Sequence, residues 1–350
     1  MREVAIVSFA QAPNLRRHAG HNEVEMLSPV TREAVERSGI PKEEIGFTCS
    51  GSSDYLAGQP FSFVSALDAI GPWPPIRESH VEMDGAWALY EAWVRLQHGD
   101  IDSALVYAFG KSSLGNVRQM LALQLDPYYV APLWPDAVDI AALQARALLE
   151  TTDFTERDFA SVAARSRASA KSNPNAQVKG DFDVDALLAE NYIVSPLRKH
   201  DCPPITDGAV AIVLAAGDLA RDVCKRPAWI RGIDHRIEAH ALGVRDLTTS
   251  PSTALAAQKA GVNGEIEIAE LHAPFAHQEL ILKQALGLSD KVSINPSGGA
   301  LAANPIMAAG LMRFGEAAQR LMDGEATHAL AHATSGPCLQ QNLVCVMEAA

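Results

Sequence analysis

The stretch INPSGGALAANPIMAAGLMRFGEA, from Ile294 to Ala317, joins a strand-like run to a helical pattern through two adjacent glycines. Residues 291–294 form a short β-branched run typical of the end of a strand, and a helical apolar period begins at Pro305. Such a turn brings bare backbone N–H groups close to another group, and a helix N-terminus attracts negative charge or a polarised carbonyl. The stretch therefore predicts a strand–turn–helix unit whose turn faces a polar or charged group.

Runs rich in Val, Ile and Ala predict β-strands along the whole chain. Many of these runs are nearly continuous in hydrophobic residues, which is typical of strands buried on both faces of a sheet. Helical patterns lie between several of them, so the sequence predicts an α/β protein. The predicted strands are Val4–Phe9, Gly46–Cys49, His80–Met83, Ala104–Phe109, Ala209–Ala215, Trp229–Ile233, Ile266–His272, Val292–Ile294, Ala329–Ala333 and Leu343–Met347.

The spacing of these strands predicts two similar halves, residues 1–220 and 221–350. An insertion from about residue 114 to 199 separates the last two strands of the first half. It holds two helical patterns, DIAALQARALLE and DFASVAARSRASAK, and irregular stretches such as DPYYVAPLWPD. Long connections of this kind are usually functional. We interpret the insertion as a cap over a site, with an elaborated crossover connection as the alternative.

Composition and charge limit the possible functions. The chain of 350 residues has a net charge of −13 and no basic stripe, which argues against a nucleic-acid surface. The N-terminal apolar run covers only about seven residues, too short to span a membrane. The five cysteines lack metal-ligand spacing, so we expect reduced thiols and no metal site. These features together predict a cytoplasmic protein.

Four segments, in this order, resemble the thiolase superfamily, and most closely its sterol-carrier-protein type. They are HVEMDGAWALYEA (80–92), HDCPPITDGAVAIVLAA (200–216), ELHAPFAHQEL (270–280) and NPSGGALAANPIMAAGL (295–311). They span nearly the whole chain, and CPPITDGA and NPSGG are each fairly specific. The resemblance implies a thiolase fold, in which two duplicated halves form a five-layer α/β/α/β/α sandwich with an inserted loop domain. It also implies a dimer and a substrate carried as a coenzyme A thioester, with no bound cofactor.

Two departures from the family pattern remove the residues of covalent acyl transfer. Where thiolases place the nucleophilic cysteine, at the start of a buried helix, this chain has Gly85. Acyl transfer needs a thiolate near a base, and glycine offers only its N–H. We expect that N–H, and an open space in place of the sulfur, to remain available to the substrate. Where thiolases have the histidine of a GHP triplet, this chain has Asn304, which can donate a hydrogen bond but cannot move a proton near neutral pH.

The resemblance also indicates other candidate site residues. His272, in LHAPF, matches a family histidine that faces the thioester; it can act as acid, base or carbonyl donor, or can only satisfy buried hydrogen bonds. Cys338, in SGPCLQQN, lies within about two residues of a family cysteine that shuttles a proton, and a buried apolar cysteine is the alternative. The glycine turn is expected to lie against the thioester. The candidate catalytic residues are thus His272, Asn304 and Cys338, and the candidate ligand-binding residues are Gly85, Ser297, Gly298 and Gly299.

Aromatic side chains of the insertion and a second histidine have weaker interpretations. Tyr128, Tyr129 and Trp134 could line an apolar acyl pocket, or could pack within the cap. His277 follows His272 on the next helix, and we expect it behind the site or at the surface.

Three functions fit this set of residues. A retro-aldol lyase for a β-hydroxyacyl-CoA with a sterol or branched lipid side chain needs a base and donors for an enolate oxygen, but no acyl-enzyme. A non-catalytic acyl-CoA-binding subunit could instead pair with an active thiolase-like paralogue. A conventional acetyl-CoA acyltransferase would have to use Cys338 alone. The resemblance implies lipid metabolism such as steroid degradation. It implies as partners a second thiolase-like chain, in a homodimer or heterodimer, and a small OB-fold, zinc-containing acyl-CoA-binding protein.

Overall fold

The described residues of the computed structural model, 2–58, 60–71 and 77–349, contain one large mixed β-sheet and a separate two-stranded pair. All ten predicted strands are present in the large sheet, which confirms the prediction of an α/β protein. The strands are β1 (Val4–Gln11), β2 (Thr48–Gly51), β3 (Glu78–Val81), β4 (Ser103–Lys111), β5 (Tyr192–Val194), β6 (Leu197–Arg198), β7 (Asp207–Ala216), β8 (Ala228–Ile237), β9 (Ile268–Leu271), β10 (Ser293–Ile294), β11 (His328–Ser335) and β12 (Gln341–Glu348).

Helices cover the sheet and build the insertion. The helix predicted to start at Pro305 begins four residues later, because the Pro305 carbonyl first accepts the N–H groups of Ala308 and Ala309 in a turn. The helices are α1 (Glu23–Ser38), α2 (Asp54–Ala57), α3 (Ser62–Ile70), α4 (Gly85–Gln97), α5 (Val117–Ala122), α6 (Ala137–Thr151), α7 (Glu156–Ser169), α8 (Val184–Leu188), α9 (Gly217–Val223), α10 (Pro251–Ala260), α11 (Ala276–Ala285), α12 (Gly299–Ala302) and α13 (Ala309–Met322).

The order of strands in the sheet repeats itself. From one edge the order is β3-β2-β4-β7-β1, and from the opposite edge it is β10-β9-β11-β12-β8. If the five strands of each set are numbered by their order in the chain, both sets have the same spatial order: third, second, fourth, fifth, first. The two sets meet where β1 and β8 pair antiparallel over Ala5–Trp229 and Ile6–Ala228. The division proposed near residue 220 falls in α9, which connects β7 to β8.

Buried apolar clusters reveal five layers. α4 and α13 lie against each other in the middle, and their cluster includes Leu89 and Phe314 together with strand residues of both sets, such as Val106 and Leu343. Residues of α1 and α3 cover the outer face of the first set, and residues of α10 and α11 cover the outer face of the second. The layers alternate helix, sheet, helix, sheet, helix. The predicted thiolase-type α/β fold is therefore confirmed.

The insertion packs on the outer side of the second set of strands. The two predicted helices are present as α6 and α7, and they contribute Ala145 and Phe159 to a buried cluster that contains Leu271 and Ile281. The short pair β5–β6 was not predicted, since strands of three and two residues are too short for an alternating pattern to register.

Two glycines in the first set of strands position the segment that carries Asn304. Gly110 on β4 and Gly208 on β7 are directly paired in the sheet. A Cβ on Gly110 would collide with the Ile306 carbonyl oxygen, and one on Gly208 would lie 3.1 Å from Pro305 Cγ. The chain after Asn304 therefore lies directly on the backbone of both strands, which only glycine permits.

We predict that Gly110→Ala lowers the free energy of unfolding by about 1–3 kcal/mol, the usual cost of overpacking, because backbone and not a flexible side chain must shift. Urea denaturation would measure the change. Gly243→Ala is the matched control, since a Cβ there meets no atom within 4 Å, and its effect should stay within about 0.5 kcal/mol. Equal stability of both variants would contradict the close contact.

Candidate active site

A cavity of about 300 Å³ lies at the carboxyl ends of β9 and β11, between the second set of strands and the insertion. α5, α6 and the segment 202–205 form one wall, as expected for a cap. The β9–α11 loop, residues 304–307 and the β11–β12 loop form the other. Ligands of open α/β sheets bind at this edge of the strands. Most of the lining is apolar, including Leu121, Leu125, Ile140, Ile205, Phe275, Ile306 and Met307.

His272 and Asn304 meet in this cavity. His272 Nε2 lies 3.1 Å from Asn304 Oδ1, and the backbone N–H of Thr334 donates to His272 Nδ1 at 3.4 Å. Because Nδ1 accepts, the ring proton is on Nε2 and is donated to the amide oxygen. That bond fixes the orientation of the amide. The Asn304 NH₂ group makes no hydrogen bond to another described residue and is available at the cavity wall.

Burial keeps the His272 ring neutral. Desolvation lowers its pKa to about 4, although the hydrogen bond to Asn304 acts in the opposite direction. With one ring nitrogen accepting from the backbone and the other donating to Asn304, His272 holds the amide in place. The two candidate residues that the sequence placed 32 positions apart are thus brought together.

The β11–β12 loop contributes a strained backbone to the same cavity. Gly336, Cys338 and Leu339 have φ angles of 75°, 53° and 57°. Left-handed conformations at non-glycine residues persist only where the surroundings impose them. Here the Arg245 guanidinium donates to the carbonyl oxygens of Pro337 and Cys338 at 2.9 and 3.2 Å. The Cys338 N–H makes no hydrogen bond to another described residue, and Cys338 is one of the residues that line the cavity.

The Cys338 side chain does not fit the role of a proton shuttle. Its thiol lies 3.7 Å from the Ile140 carbonyl oxygen and packs beside Leu125. Desolvation raises its pKa to about 12, so the thiolate is negligible at neutral pH. These contacts favour the alternative of a buried apolar cysteine for this side chain.

The glycine turn faces a carboxylate of the protein and not the cavity. The Ser297 N–H and hydroxyl donate to Glu270 at 2.9 and 2.7 Å, and the Gly299 N–H donates to Ser297 Oγ at 3.2 Å. Arg313 forms an ion pair with Glu270 at 2.7 Å. None of Ser297, Gly298 and Gly299 lines the cavity. The expectation that this turn lies against the thioester therefore stays a prediction, and in this structure the donors of the turn are directed to Glu270 and Ser297.

Packing explains why the turn needs glycine. Gly298 has a φ of 99°, and a Cβ there would lie 2.5 Å from the Cβ of Ala170 in the insertion. Gly299 has a φ of 60°, and its Cβ would lie 2.8 Å from Asn295 Cγ. Gly298 therefore allows the insertion to approach the turn closely, and Gly299 allows the turn to close against Asn295.

Gly85 offers neither a free N–H nor an open space. Its N–H donates to the Met307 carbonyl at 2.9 Å. A Cβ at this position would lie 2.6 Å from Ala108 Cβ and 2.8 Å from Leu311 Cδ2. The expected open space and free N–H are therefore not found at Gly85, because neighbouring groups occupy both, and its contact with the substrate stays a prediction.

The weaker expectations are also decided by burial. Tyr128, Tyr129 and Trp134 are 80, 82 and 56% exposed, and none of them lines the cavity. His277 is not at the surface: it is fully buried, with Nε2 3.1 Å from Gln144 Oε1.

Sequence reasoning missed two residues that shape the site, Asp84 and Arg245. Asp84 precedes α4 and accepts N–H groups from the first turns of both α4 and α13. An aspartate directly before a helical pattern is a capping signal that could have been noticed. Its bond to α13 crosses 226 residues and leaves no local signal. Arg245 also leaves no local signal, because the β11–β12 loop to which it donates lies about ninety residues away in the sequence.

Comparisons with known proteins agree with this geometry. No protein-family model matches the chain. It is 24% identical over 357 residues to an acetyl-CoA acetyltransferase of Methanothermobacter thermautotrophicus, covering 93% of this chain and 92% of that protein. It is 26% identical over 244 residues to the 17-hydroxy-3-oxo-4-pregnene-20-carboxyl-CoA lyase of Mycobacterium tuberculosis, covering 65% and 61%. It is 23% identical over 327 residues to sterol carrier protein 2 of Gallus gallus, covering 81% and 59%.

Solved structures share the fold over nearly the whole chain. A chain of the Ltp2–ChsH2(DUF35) aldolase superposes with a TM-score of 0.81 at 18% identity, covering 99% of this chain and 98% of that one. The acetyl-CoA acetyltransferase of Bacillus anthracis gives 0.80 at 17% identity, covering 100% and 99%. The chain thus resembles the thiolase superfamily in sequence and in fold, and its relatives include acetyl-CoA acetyltransferases, sterol carrier protein 2 and a pregnene carboxyl-CoA lyase.

Among the described residues, no helix is both long and apolar enough to cross a membrane. No group of three or more His, Cys, Asp and Glu side chains is arranged there to hold a metal ion.

We predict that His272 stays neutral, with its proton on Nε2, from pH 5 to pH 8. The reason is that burial lowers the pKa to about 4, so the ring gains a proton only as the pH falls towards that value. Nitrogen-15 NMR of the imidazole rings, with His272→Gln for assignment, would measure both the tautomer and the midpoint. A midpoint near 6.5 would contradict the burial of this ring.

We predict that Gly85→Ala lowers the free energy of unfolding by about 1–3 kcal/mol, since the added methyl overlaps Ala108 and Leu311. Ala108→Gly in the same chain should recover part of the loss by removing the nearest atom. A double-mutant cycle on thermal or denaturant unfolding measures this coupling. If the two substitutions were simply additive, the space beside Gly85 would not be filled as described.

Proposed function

We propose that the protein is a thiolase-like lyase that cleaves a carbon–carbon bond of a β-hydroxyacyl-CoA by retro-aldol chemistry. One observation carries this proposal: a single cavity combines oxyanion donors with the absence of a nucleophile. The donors are the Asn304 amide and the Cys338 N–H. Retro-aldol cleavage passes through an enolate, whose oxygen needs such donors, and it forms no acyl-enzyme.

The proposed reaction moves one proton and one electron pair. A base takes the proton of the β-hydroxyl, the Cα–Cβ bond breaks, and its electron pair forms the thioester enolate. The β-carbon leaves as an aldehyde or ketone, and the proton is returned to the α-carbon of the shortened acyl-CoA. In this scheme the neutral His272 holds the Asn304 amide towards the thioester oxygen. Orientation before the reaction is what makes such donors effective.

The apolar wall supports a sterol or branched lipid side chain as the acyl group. The cavity-lining residues that belong to α5, α6 and the 202–205 segment are mainly aliphatic. Phe275 also lines the cavity. Large apolar ligands bind in pockets of this composition with a few placed polar groups. One relative is named a lyase of a pregnene carboxyl-CoA, which is consistent with a role in steroid degradation.

Conventional acyl transfer is disfavoured by the same geometry. Gly85 carries no thiol and has no space for one, and burial raises the pKa of the Cys338 thiol to about 12. A non-catalytic acyl-CoA-binding subunit, paired with an active thiolase-like chain, is the reading that remains if no turnover is found.

We further propose that the chain works in an assembly. Exposed aromatic side chains on the insertion, Tyr128, Tyr129 and Trp134, are the kind of residues that interfaces cover. The candidates are a second copy, a thiolase-like paralogue, and a small OB-fold, zinc-containing acyl-CoA-binding protein. One solved relative carries two protein names, Ltp2 and ChsH2(DUF35).

The test is turnover of a β-hydroxyacyl-CoA with a steroid side chain, with and without candidate partners. We predict release of a ketone or aldehyde by the wild type. Asn304→Ala should lower kcat by about 10²–10³-fold, the usual loss for one oxyanion donor. Coupled gas chromatography of the carbonyl product and mass spectrometry of the acyl-CoA would measure both.

Tyr129→Ala is a useful control in the absence of a partner, because this side chain is exposed and does not line the cavity. Its kcat should equal that of the wild type. Full activity of Asn304→Ala would remove the oxyanion role. Binding of acyl-CoA without cleavage in every combination would favour the non-catalytic subunit.

A further inference from the structure

Asp84 is a buried carboxyl at the wall of the cavity. It directly precedes α4, is 3% exposed, and lies among the cavity-lining residues. Buried aspartates usually have a charged partner. All the hydrogen bonds of Asp84 to other described residues come instead from backbone N–H groups. Its hydrogen bonds thus come from the backbone, at the wall of a cavity whose lining is mostly apolar.

Its acceptor sites are not all used. Oδ1 accepts the N–H groups of Ala86 and Leu311 at 2.9 and 3.0 Å, and Oδ2 accepts the N–H of Gly310 at 2.8 Å. A carboxylate has about four acceptor sites. The fourth, on Oδ2, remains for a proton or a hydroxyl group.

The other ionisable side chains that line the cavity are either bonded to neighbouring groups or have pKa values far from neutral. Arg118 and Asp136 form an ion pair with each other. Burial raises the pKa of the Cys202 and Cys338 thiols to about 12. His272 uses both ring nitrogens for Thr334 and Asn304. Among the described lining residues, Asp84 is therefore the one group left that can take a proton near neutral pH.

The charges around Asp84 suit a base. It lies at the N-termini of α4 and α13, whose dipoles favour a negative charge. Arg313 on α13 is the charged side chain that acts on it, and it lowers the pKa, while burial dominates and raises the pKa to about 6. The carboxylate is then the main form at pH 7, and its conjugate acid can still release a proton.

We propose that Asp84 is the general base of this site, an inference that rests on the retro-aldol function proposed above. Oδ2 takes the proton of the β-hydroxyl while the Cα–Cβ bond breaks and the enolate forms against the Asn304 amide. After the carbonyl product leaves, the Asp84 carboxylic acid returns this proton to the α-carbon. Atoms and charge balance without a further reactant.

The test uses Asp84→Asn, which keeps the size of the side chain and removes its basicity. kcat for the β-hydroxyacyl-CoA should fall at least about a hundredfold, the usual scale for a general base. The Kd of the acyl-CoA, measured by calorimetry, should change little. Asp183→Asn is the matched control, since Asp183 caps α8 in the same way outside the cavity, and its kcat should equal that of the wild type.

The pH dependence of the wild type gives a second, independent result. Since only the carboxylate is active, kcat/KM should be constant above about pH 7 and fall tenfold per pH unit below a midpoint near 6. This measurement decides the question even if Asp84→Asn fails to fold. A midpoint near 4 would assign the base to His272 and overturn the proposal, as would near wild-type kcat in folded Asp84→Asn. If the wild type itself cleaves no substrate with any partner, the retro-aldol function fails, and the role of Asp84 with it.

Discussion

The buried ion pair between Glu270 on β9 and Arg313 on α13 is the interaction on which the geometry of the site depends. Both side chains are almost fully buried, and the carboxylate also accepts two hydrogen bonds from Ser297. Removing one partner of such a pair leaves an uncompensated buried charge and costs about 3–5 kcal/mol. His272 follows Glu270 by two residues, so the same pair fixes the end of the strand from which His272 meets Asn304.

The two proposed oxyanion donors are the Asn304 amide and the Cys338 N–H. Close backbone packing restricts the conformation of the chain at both positions. Asn304 precedes a segment that lies on the paired glycines of β4 and β7. The Cys338 N–H belongs to a loop with consecutive left-handed residues that Arg245 clamps through two carbonyl groups. Strain of this kind persists only where surrounding contacts impose it. Under the proposed function, these groups would lose little freedom on binding a thioester oxygen, which is the condition for electrostatic catalysis.

The sequence predicts the ten strands of the large sheet and the helices α6 and α7, and it names His272 and Asn304 as candidates without predicting their contact. Hydrophobic periodicity is a local signal, and the family motifs carry their relative positions with them. The sequence does not show what Gly85 and the glycine turn contact. Both were read as ligand contacts because glycine exposes backbone, yet what each faces comes from far along the chain: Leu311 beside Gly85, and Ala170 and Glu270 beside the turn. A glycine pattern shows that something approaches closely, but not what approaches.

The absence of a nucleophile at Gly85 and the buried carboxylate of Asp84 have the same structural origin. The first turns of α4 and α13 both donate N–H groups to Asp84, and this shared acceptor brings Leu311 against Gly85. A cysteine at position 85 would need the space that Leu311 fills, and its thiolate would lie one residue from a carboxylate, which would raise the pKa of the thiol. A carboxylate at this point therefore works against the thiolate that an acyl-enzyme mechanism needs. A reaction that begins with removal of a hydroxyl proton has no such conflict, since it needs the negative charge that the two helix N-termini stabilise.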